Sequence, residues 1–387
     1  MLRDVIRTMG VALAFAFFVS FAFLSPALAI KMTDKPIITV SVRSSSTAAF
    51  ESKMELSNAE MTKAWRKAQK KKADVPFSLT DIYVTIRQAG QERHFRMESS
   101  GTLWDETTRE RLILPKKTAK KLQSYGRKLR GHHYGKLIPW KEAKYILPKK
   151  HMFTVLDLET GLSFRVQRRA GSKHADVQPL TKQDTKIMKQ IYHNRWSWNR
   201  KAILVHSGKE WLAASMNGMP HGGGGIRNNG FSGHFCIHFS GSTTHRSKDP
   251  DLTHQLMINK AAGNVRVFLR SATPQMLAES FIEALSHQDS EILQLLSEGL
   301  TREKQDFFMR EMKRLTFIRS KKQTGATNEK ISADLLFTEV RLPVTLYRDR
   351  KKQNTTYLFL LSRISDQSPW CIQDILTDEI QSDRKKE

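Results

Sequence analysis

Alternating apolar and polar positions mark PIITVSVR (36–43) as a strand, and the same period in DIYVTIRQAGQERHFRM (81–97) predicts a hairpin turning at Ala89-Gly90-Gln91. Between them, AEMTKAWRKAQKKK (59–72) carries Met61, Trp65 and Ala68 on one helical stripe. KTAKKLQSYGRKLR (117–130) reads as a basic helix closing this part of the chain. From about Leu137 the period-two pattern returns. KHMFTVLDLETGLSFRVQRR (150–169) predicts strand, turn and strand, with Val155, Phe164 and Val166 facing a core. DTKIMKQIY (184–192) predicts a short helix, and WSWNRKAILVHSGKEWLAASM (196–216) a hairpin turning at Ser207-Gly208. HQLMINKAAG (254–263) reads as a helix ending at Gly263, followed by a strand, VRVFL (265–269). After Thr273-Pro274, residues 274–300 are helical, with Leu277, Phe281, Leu285, Ile292, Leu295 and Leu296 on apolar faces. Three strands then follow, in 333–348, 355–364 and 370–376. The expected architecture is α+β and multidomain: a mostly β central domain (137–272) flanked by two small α+β domains (30–136 and 273–380).

The first residues have a different purpose. MLRDVIR is basic, Met9–Leu24 is apolar, and SPALA ends the run with small residues. This is the pattern of a secretory signal, assigned to 1–29 and excluded from the fold. An uncleaved anchor is the alternative, although the run is shorter than the roughly 20 residues a spanning helix needs. Export changes what the charge means. A net charge of +26 in an extracytoplasmic protein suits anionic wall polymers better than nucleic acid. The densest basic stretch, 116–151, has one acid, Glu142, and interleaves Tyr125, Tyr134, Trp140 and Tyr145, as a solvated helix face or a polymer-binding surface would. Contact with the membrane is expected only through the signal segment. The two cysteines, Cys236 and Cys371, fall in different expected domains, so a disulfide between them is not the favoured pairing.

The chemistry gathers in MPHGGGGIRNNGFSGHFCIHFSGSTTH (219–245). Read as a strand, HFCIHF places Phe235, Ile237 and Phe239 on one face and His234, Cys236 and His238 on the other. An imidazolium beside a thiol stabilises the thiolate, so this face is a reactive-cysteine environment. The four glycines let a loop come close or open, and His221 at their start can reach back to the thiol as a base. The bland alternative is a buried structural cysteine among satisfied histidines.

This stretch resembles the catalytic segment of the YkuD-type L,D-transpeptidases, with His-Gly, a loop, and then Ser-His-Gly-Cys before an aliphatic residue and arginine. Here the order is His221-Gly222, a loop, then Ser232-Gly233-His234-Phe235-Cys236-Ile237-His238. The departures are a shorter loop, Phe235 in place of glycine and His238 in place of arginine. FTVLDLETGLSFRV and the elements after Cys236 follow the family's order over roughly 150–270. The resemblance implies a cysteine acyltransferase or hydrolase acting on peptidoglycan stem peptides without a cofactor. Cys236 would be the nucleophile and His221 the base, His234 and Ser232 would lie in the catalytic segment, and N–H groups around 234–236 would hold the oxyanion. Gly222, Gly233, His238 and Trp198 are the expected binding positions. The C-terminal order of helices then sheet resembles the cone-shaped nuclear-transport-factor-like folds, which implies no activity.

A zinc hydrolase remains the alternative enzyme. His174, Asp176, His221 and His234 offer a ligand set, with His245 and His254 nearby. His234 and His238 cannot share an ion, because four residues along a strand span about 13 Å. HADVQPLT (174–181) is otherwise a turn, with Thr181 or Asp184 capping the next helix. Trp196 and Trp198 are expected on one strand face as core, or exposed for sugar stacking. Asp249, Asp251 and His254 are expected in a turn and the helix N-terminus after it, where capping is the default, with His254 facing the site as the alternative. A binding protein without catalysis, gripping wall polymers by charge and aromatics, is the third possibility.

Overall fold

The structure is a computed structural model that describes residues 36–56, 59–73, 76, 78–244, 249–321, 336–348 and 351–377. The expected signal segment at 1–29 and His245 lie outside the described residues.

The N-terminal stretch forms β1 (Ile37–Arg43), β2 (Glu51–Leu56), α1 (Ala59–Arg66), β3 (Gln69–Lys72), β4 (Leu79–Gln88), β5 (Gln91–Glu98), β6 (Leu103–Asp105), β7 (Glu110–Ile113) and α2 (Lys116–His133). The strands make one antiparallel sheet in the order β2-β1-β4-β5-β6-β7-β3. Leu122 and Leu129 of α2 share its core with Val40, Val84 and Phe95. Gly126 lets α2 come this close, because a Cβ there would sit 2.4 Å from Ile82 Cδ1. The helix expected through residue 72 stops at Arg66. Gln69-Lys-Lys-Lys has no apolar stripe to bury and instead forms an exposed edge strand on β7, where lysines discourage further pairing.

The central stretch forms α3 (Trp140–Ile146), β8 (Met152–Asp157), β9 (Ser163–Ala170), β10 (Ala175–Pro179), α4 (Lys182–Ile191), β11 (Lys201–His206), β12 (Trp211–Met216), β13 (Phe235–His238), α5 (Leu252–Ala261) and α6 (Val265–Arg270). The six strands close into an antiparallel barrel, β10-β13-β12-β11-β8-β9. Val155, Phe164, Val166, Val177, Phe235 and Ile237 fill its apolar interior. Thr181 caps α4 in a reciprocal box with Asp184, and Asp251 caps α5. Three expectations are corrected here. Residues 175–179 are a strand rather than a turn. The WSW segment is loop, with Trp196 edge-on to Phe231 and Trp198 at the surface. VRVFL is helix α6: Val265 and Leu269, one turn apart, are buried while Val267 is 61% exposed, and a strand would have buried all three together.

The C-terminal stretch forms α7 (Pro274–Ser286), α8 (Ser290–Leu296), α9 (Arg302–Arg314), β14 (Leu315–Ser320), β15 (Phe337–Arg348), β16 (Lys351–Ser362) and β17 (Cys371–Leu376), with the sheet in chain order. The chain is thus α+β and multidomain, with a mostly β centre. One apolar cluster runs from Ala202, Leu204 and Ala213 on the barrel, through α5 and α6, to Phe281, Phe308 and Phe359. The described residues belong to a single compact unit, Lys35–Glu387. Cys236 and Cys371 are both free thiols. Among the described residues no helix is long and apolar enough to cross a membrane.

Candidate active site

Strand alternation puts the site on the outside of the barrel. Phe235 and Ile237 point inward, so Cys236 and His238 point outward from β13. Register supplies their neighbours: Asp176 lies opposite Cys236 across the β10–β13 pair, and Ser215 lies opposite His238 across β12–β13. These outward positions are covered by α5 and by the segments around 171–174 and 219–234, so the polar face is buried.

The bridge between His221 and His234 sets the approach to the thiol. His221 N–H donates to the His234 carbonyl (2.9 Å) and His234 N–H to the His221 carbonyl (2.8 Å). The two chains can come this close only because of glycine. A Cβ on Gly233 (φ +76°) would lie 2.2 Å from the His221 carbonyl oxygen, and one on Gly222 (φ +71°) would lie 2.5 Å from His234 Cε1. Gln178, buried on β10, ties down the same loop. It accepts from Ile226 N–H (2.6 Å) and donates to the Gly224 (3.3 Å) and Gly233 carbonyls. Gly222–Gly225 remain exposed.

This arrangement brings His221 Nε2 to 3.3 Å from Cys236 Sγ. His221 Nδ1–H donates to the Met219 carbonyl (2.8 Å), which fixes the tautomer and leaves Nε2 to exchange a proton with sulfur. On the sealed side stands a second imidazole anchored in the same way. His174 Nδ1–H donates to the Thr243 carbonyl (2.8 Å), and Nε2 lies 3.1 Å from Asp176 Oδ1. Asp176 Oδ1 is in turn 4.0 Å from Cys236 Sγ and 3.8 Å from His234 Nε2.

These contacts shift the titrations together. Burial pushes the Cys236 thiol up, but hydrogen bonds and charge from His174 and His221 outweigh it and hold the thiol below its ordinary value. The bond to Cys236 lifts His221 against its burial. Burial pulls His174 down, yet Asp176, Cys236 and the Thr243 carbonyl push it up to about 10. Behind them His238 stacks between His174 (4.5 Å) and His254 (3.7 Å), and His254 Nδ1 lies 2.9 Å from Ser215 Oγ. Burial first, then neighbouring positive charge, holds both His238 and His254 well below the usual imidazole range, so these two are neutral.

The structure therefore gathers Cys236, His221, His234, Gly222 and Gly233 in one place. Ser232 is exposed just before β13 and makes no side-chain hydrogen bond among the described residues. His238 is buried behind the thiol and does not face its open side. Trp198, 49% exposed, leans on His221 with ring centroids 5.1 Å apart. His234 N–H is spent in the bridge, so it is not available to an oxyanion. The N–H groups of Gly223, Gly224 and Gly225 have no partner among the described residues.

For a metal, the trios with ligand atoms within 4.8 Å of one another are His174, Cys236, His238 and His221, His234, Cys236, both built on the thiol rather than on Asp176. In the first trio the His174 and His238 rings are stacked at 16°, so their in-plane lone pairs run side by side instead of converging on an ion. In the sequence Asp176 entered only as a candidate zinc ligand and Gln178 had no assigned place. Alternation along 175–179 carried that signal once the segment is taken as a strand. Compared with known proteins, the chain matches no family model and no curated sequence.

Proposed function

We propose that this protein is an exported, cell-wall-associated cysteine acyltransferase or hydrolase that acts on peptidoglycan stem peptides. The observation that carries the reading is the 3.3 Å approach of His221 Nε2 to Cys236 Sγ, with the far nitrogen of His221 anchored on the Met219 carbonyl. A thiol so paired is a nucleophile, and an imidazole with one nitrogen fixed and the other on sulfur is a proton carrier. The thiolate attacks a stem-peptide carbonyl. N–H groups of the Gly223–Gly225 loop hold the developing oxyanion, and His221 protonates the departing amine. A second stem amine or water then resolves the thioester. Trp198 beside His221 offers a flat apolar face to the sugar or peptide on the open side. The net charge of +26 keeps the protein among anionic wall polymers.

Incubation of the chain from residue 30 with disaccharide-tetrapeptide, followed by intact-mass measurement, tests this. An acyl adduct on Cys236, lost in Cys236→Ala and indifferent to chelators, is the expected result. A chelator-sensitive activity would transfer the chemistry to a bound metal. Binding that persists in Cys236→Ala, with no adduct in the parent protein, would leave a wall-polymer binder.

A further inference from the structure

Cys236 has two imidazole neighbours, and they differ in access. His221 is partly exposed beside the glycine loop, whereas His174 is 1% exposed. Both are held by an Nδ1–H bond of 2.8 Å to a backbone carbonyl, so each presents Nε2 to the site. Only His174 also has a carboxylate at Nε2, that of Asp176 at 3.1 Å, and Asp176 is itself buried on β10 directly across from Cys236. An imidazole that both receives and releases a proton in each turnover needs access to the substrate. One locked between a carboxylate and a thiol is suited to holding a proton permanently.

Resting on the acyl-transfer reading, we infer that the His174–Asp176 pair is a positioning device that keeps Cys236 as a thiolate, leaving His221 as the proton carrier. The site divides activation from proton transfer. At rest, sulfur is ionised and both His174 and His221 are protonated. The thiolate forms the S–C bond to the substrate carbonyl carbon, and the amide C–N bond breaks as the His221 proton passes to the leaving nitrogen. Incoming water or amine then loses a proton to His221 as it attacks the thioester, and the S–C bond breaks to return the thiolate. His174 keeps its proton throughout, and Asp176 keeps its charge.

The groups facing this pair account for its state. His174 meets Asp176 from β10, Cys236 and His238 from β13, and the charge of Arg168 on β9 lies near Asp176. His254 of α5, stacked behind His238, is neutral, as is His238, so neither opposes the His174 cation. His221 and the His234–Asp176 contact complete the surroundings of the thiol.

The experiment is alkylation of Cys236 in the full chain across pH, followed by peptide mapping so that Cys371 is counted apart. His174→Asn is expected to raise the inflection by one unit or more, slowing alkylation at about pH 6 by ~10-fold. His221→Asn is expected to leave a low inflection while abolishing acyl turnover. A His174→Asn profile that coincides with the parent, with the shift found in His221→Asn instead, overturns the division of labour but leaves the acyl-transfer reading intact. A parent thiol that alkylates only in the free-cysteine range overturns both. Carbon-13 histidine NMR of the unmutated protein guards against a variant that fails to fold. One imidazole should stay protonated well above the ordinary histidine range, and a spectrum in which every imidazole titrates at or below that range overturns the inference.

Discussion

Two glycines decide whether the cysteine and its histidine meet, and the structure offers a control for each part of their effect. Gly233 and Gly241 have nearly the same backbone angle, φ +76° and +70°, yet only Gly233 is crowded, with the His221 carbonyl in the place of a Cβ. Gly241→Ala should therefore show the cost of a left-handed alanine alone, about 1–2 kcal/mol. Gly233→Ala should lose that amount and also break the His221–His234 bridge, so that chemical denaturation finds a larger loss and acyl turnover falls with the displaced His221. Equal losses in the two variants, with turnover unchanged, would mean that the bridge tolerates a side chain. At this scale the sequence was informative where spacing is strict. Period two along 234–239 was enough to place Cys236 and His238 opposite Phe235 and Ile237. The sequence offered His174 only as a candidate zinc ligand and left Gln178 unassigned, because their place beside the thiol depends on the register of β10 against β13, a long-range pairing that no local pattern carries.

Among the elements, α5 matters most to the site, because it presses His254 onto His238 and closes the polar face of β13. Both rings are buried neutral, and their folded pKa values lie well below those of the unfolded chain. For a depressed histidine, stability is full above the unfolded value of about 6.5 and declines as the pH falls, because the unfolded state gains the proton first. His133, held down to about 4 by burial, acts in the same direction. His174 acts in the opposite sense. Raised to about 10, it stabilises the fold below about 6.5 and loses that contribution as the pH rises through 10. Melting temperatures measured at pH 7 and pH 5 should therefore fall on the acid side. His254→Asn should shrink the corresponding difference in unfolding free energy by on the order of 1 kcal/mol per pH unit, whatever it does to stability at pH 7. An unchanged difference would mean that His254 is charged in the folded protein. Elements were legible where their period was long, as in α2 and α7. They were misjudged where two periods competed: in VRVFL every second residue is apolar, but the core that receives α6 lies on one side only.

At the scale of the molecule, three stretches of sequence correspond to three sheets, yet one of the three cores is shared between stretches. The apolar cluster behind the barrel includes Ala202, Leu204 and Ala213 from the strands, Leu256 and Met257 from α5, and Phe281, Phe308 and Phe359 beyond residue 273. Thr273-Pro274 is a sound place for a helix to begin, with Thr273 capping α7. The apolar cluster continues across it, and hydropathy along the chain cannot reveal that, because a shared core and two separate cores ask for the same residues. The N-terminal sheet is joined to the C-terminal helices differently. Arg96, 7% exposed, pairs with Glu291, bonds Gln294 (3.2 Å) and donates to the Thr80 carbonyl (2.6 Å). Removing one partner of a buried pair strands the other charge, a loss of about 3–5 kcal/mol. Arg96→Met should therefore lower the unfolding free energy by about that amount, read as a lower denaturation midpoint. Ending the chain at residue 272 should do worse, because α5 loses α7, which shares its apolar cluster, and Thr253 loses its bond to Glu283. Denaturant unfolding followed at once by barrel and C-terminal probes should give coincident curves for the full chain. Separate transitions, with the barrel of the shortened chain keeping its midpoint, would show that the C-terminal stretch rests on the barrel without supporting it.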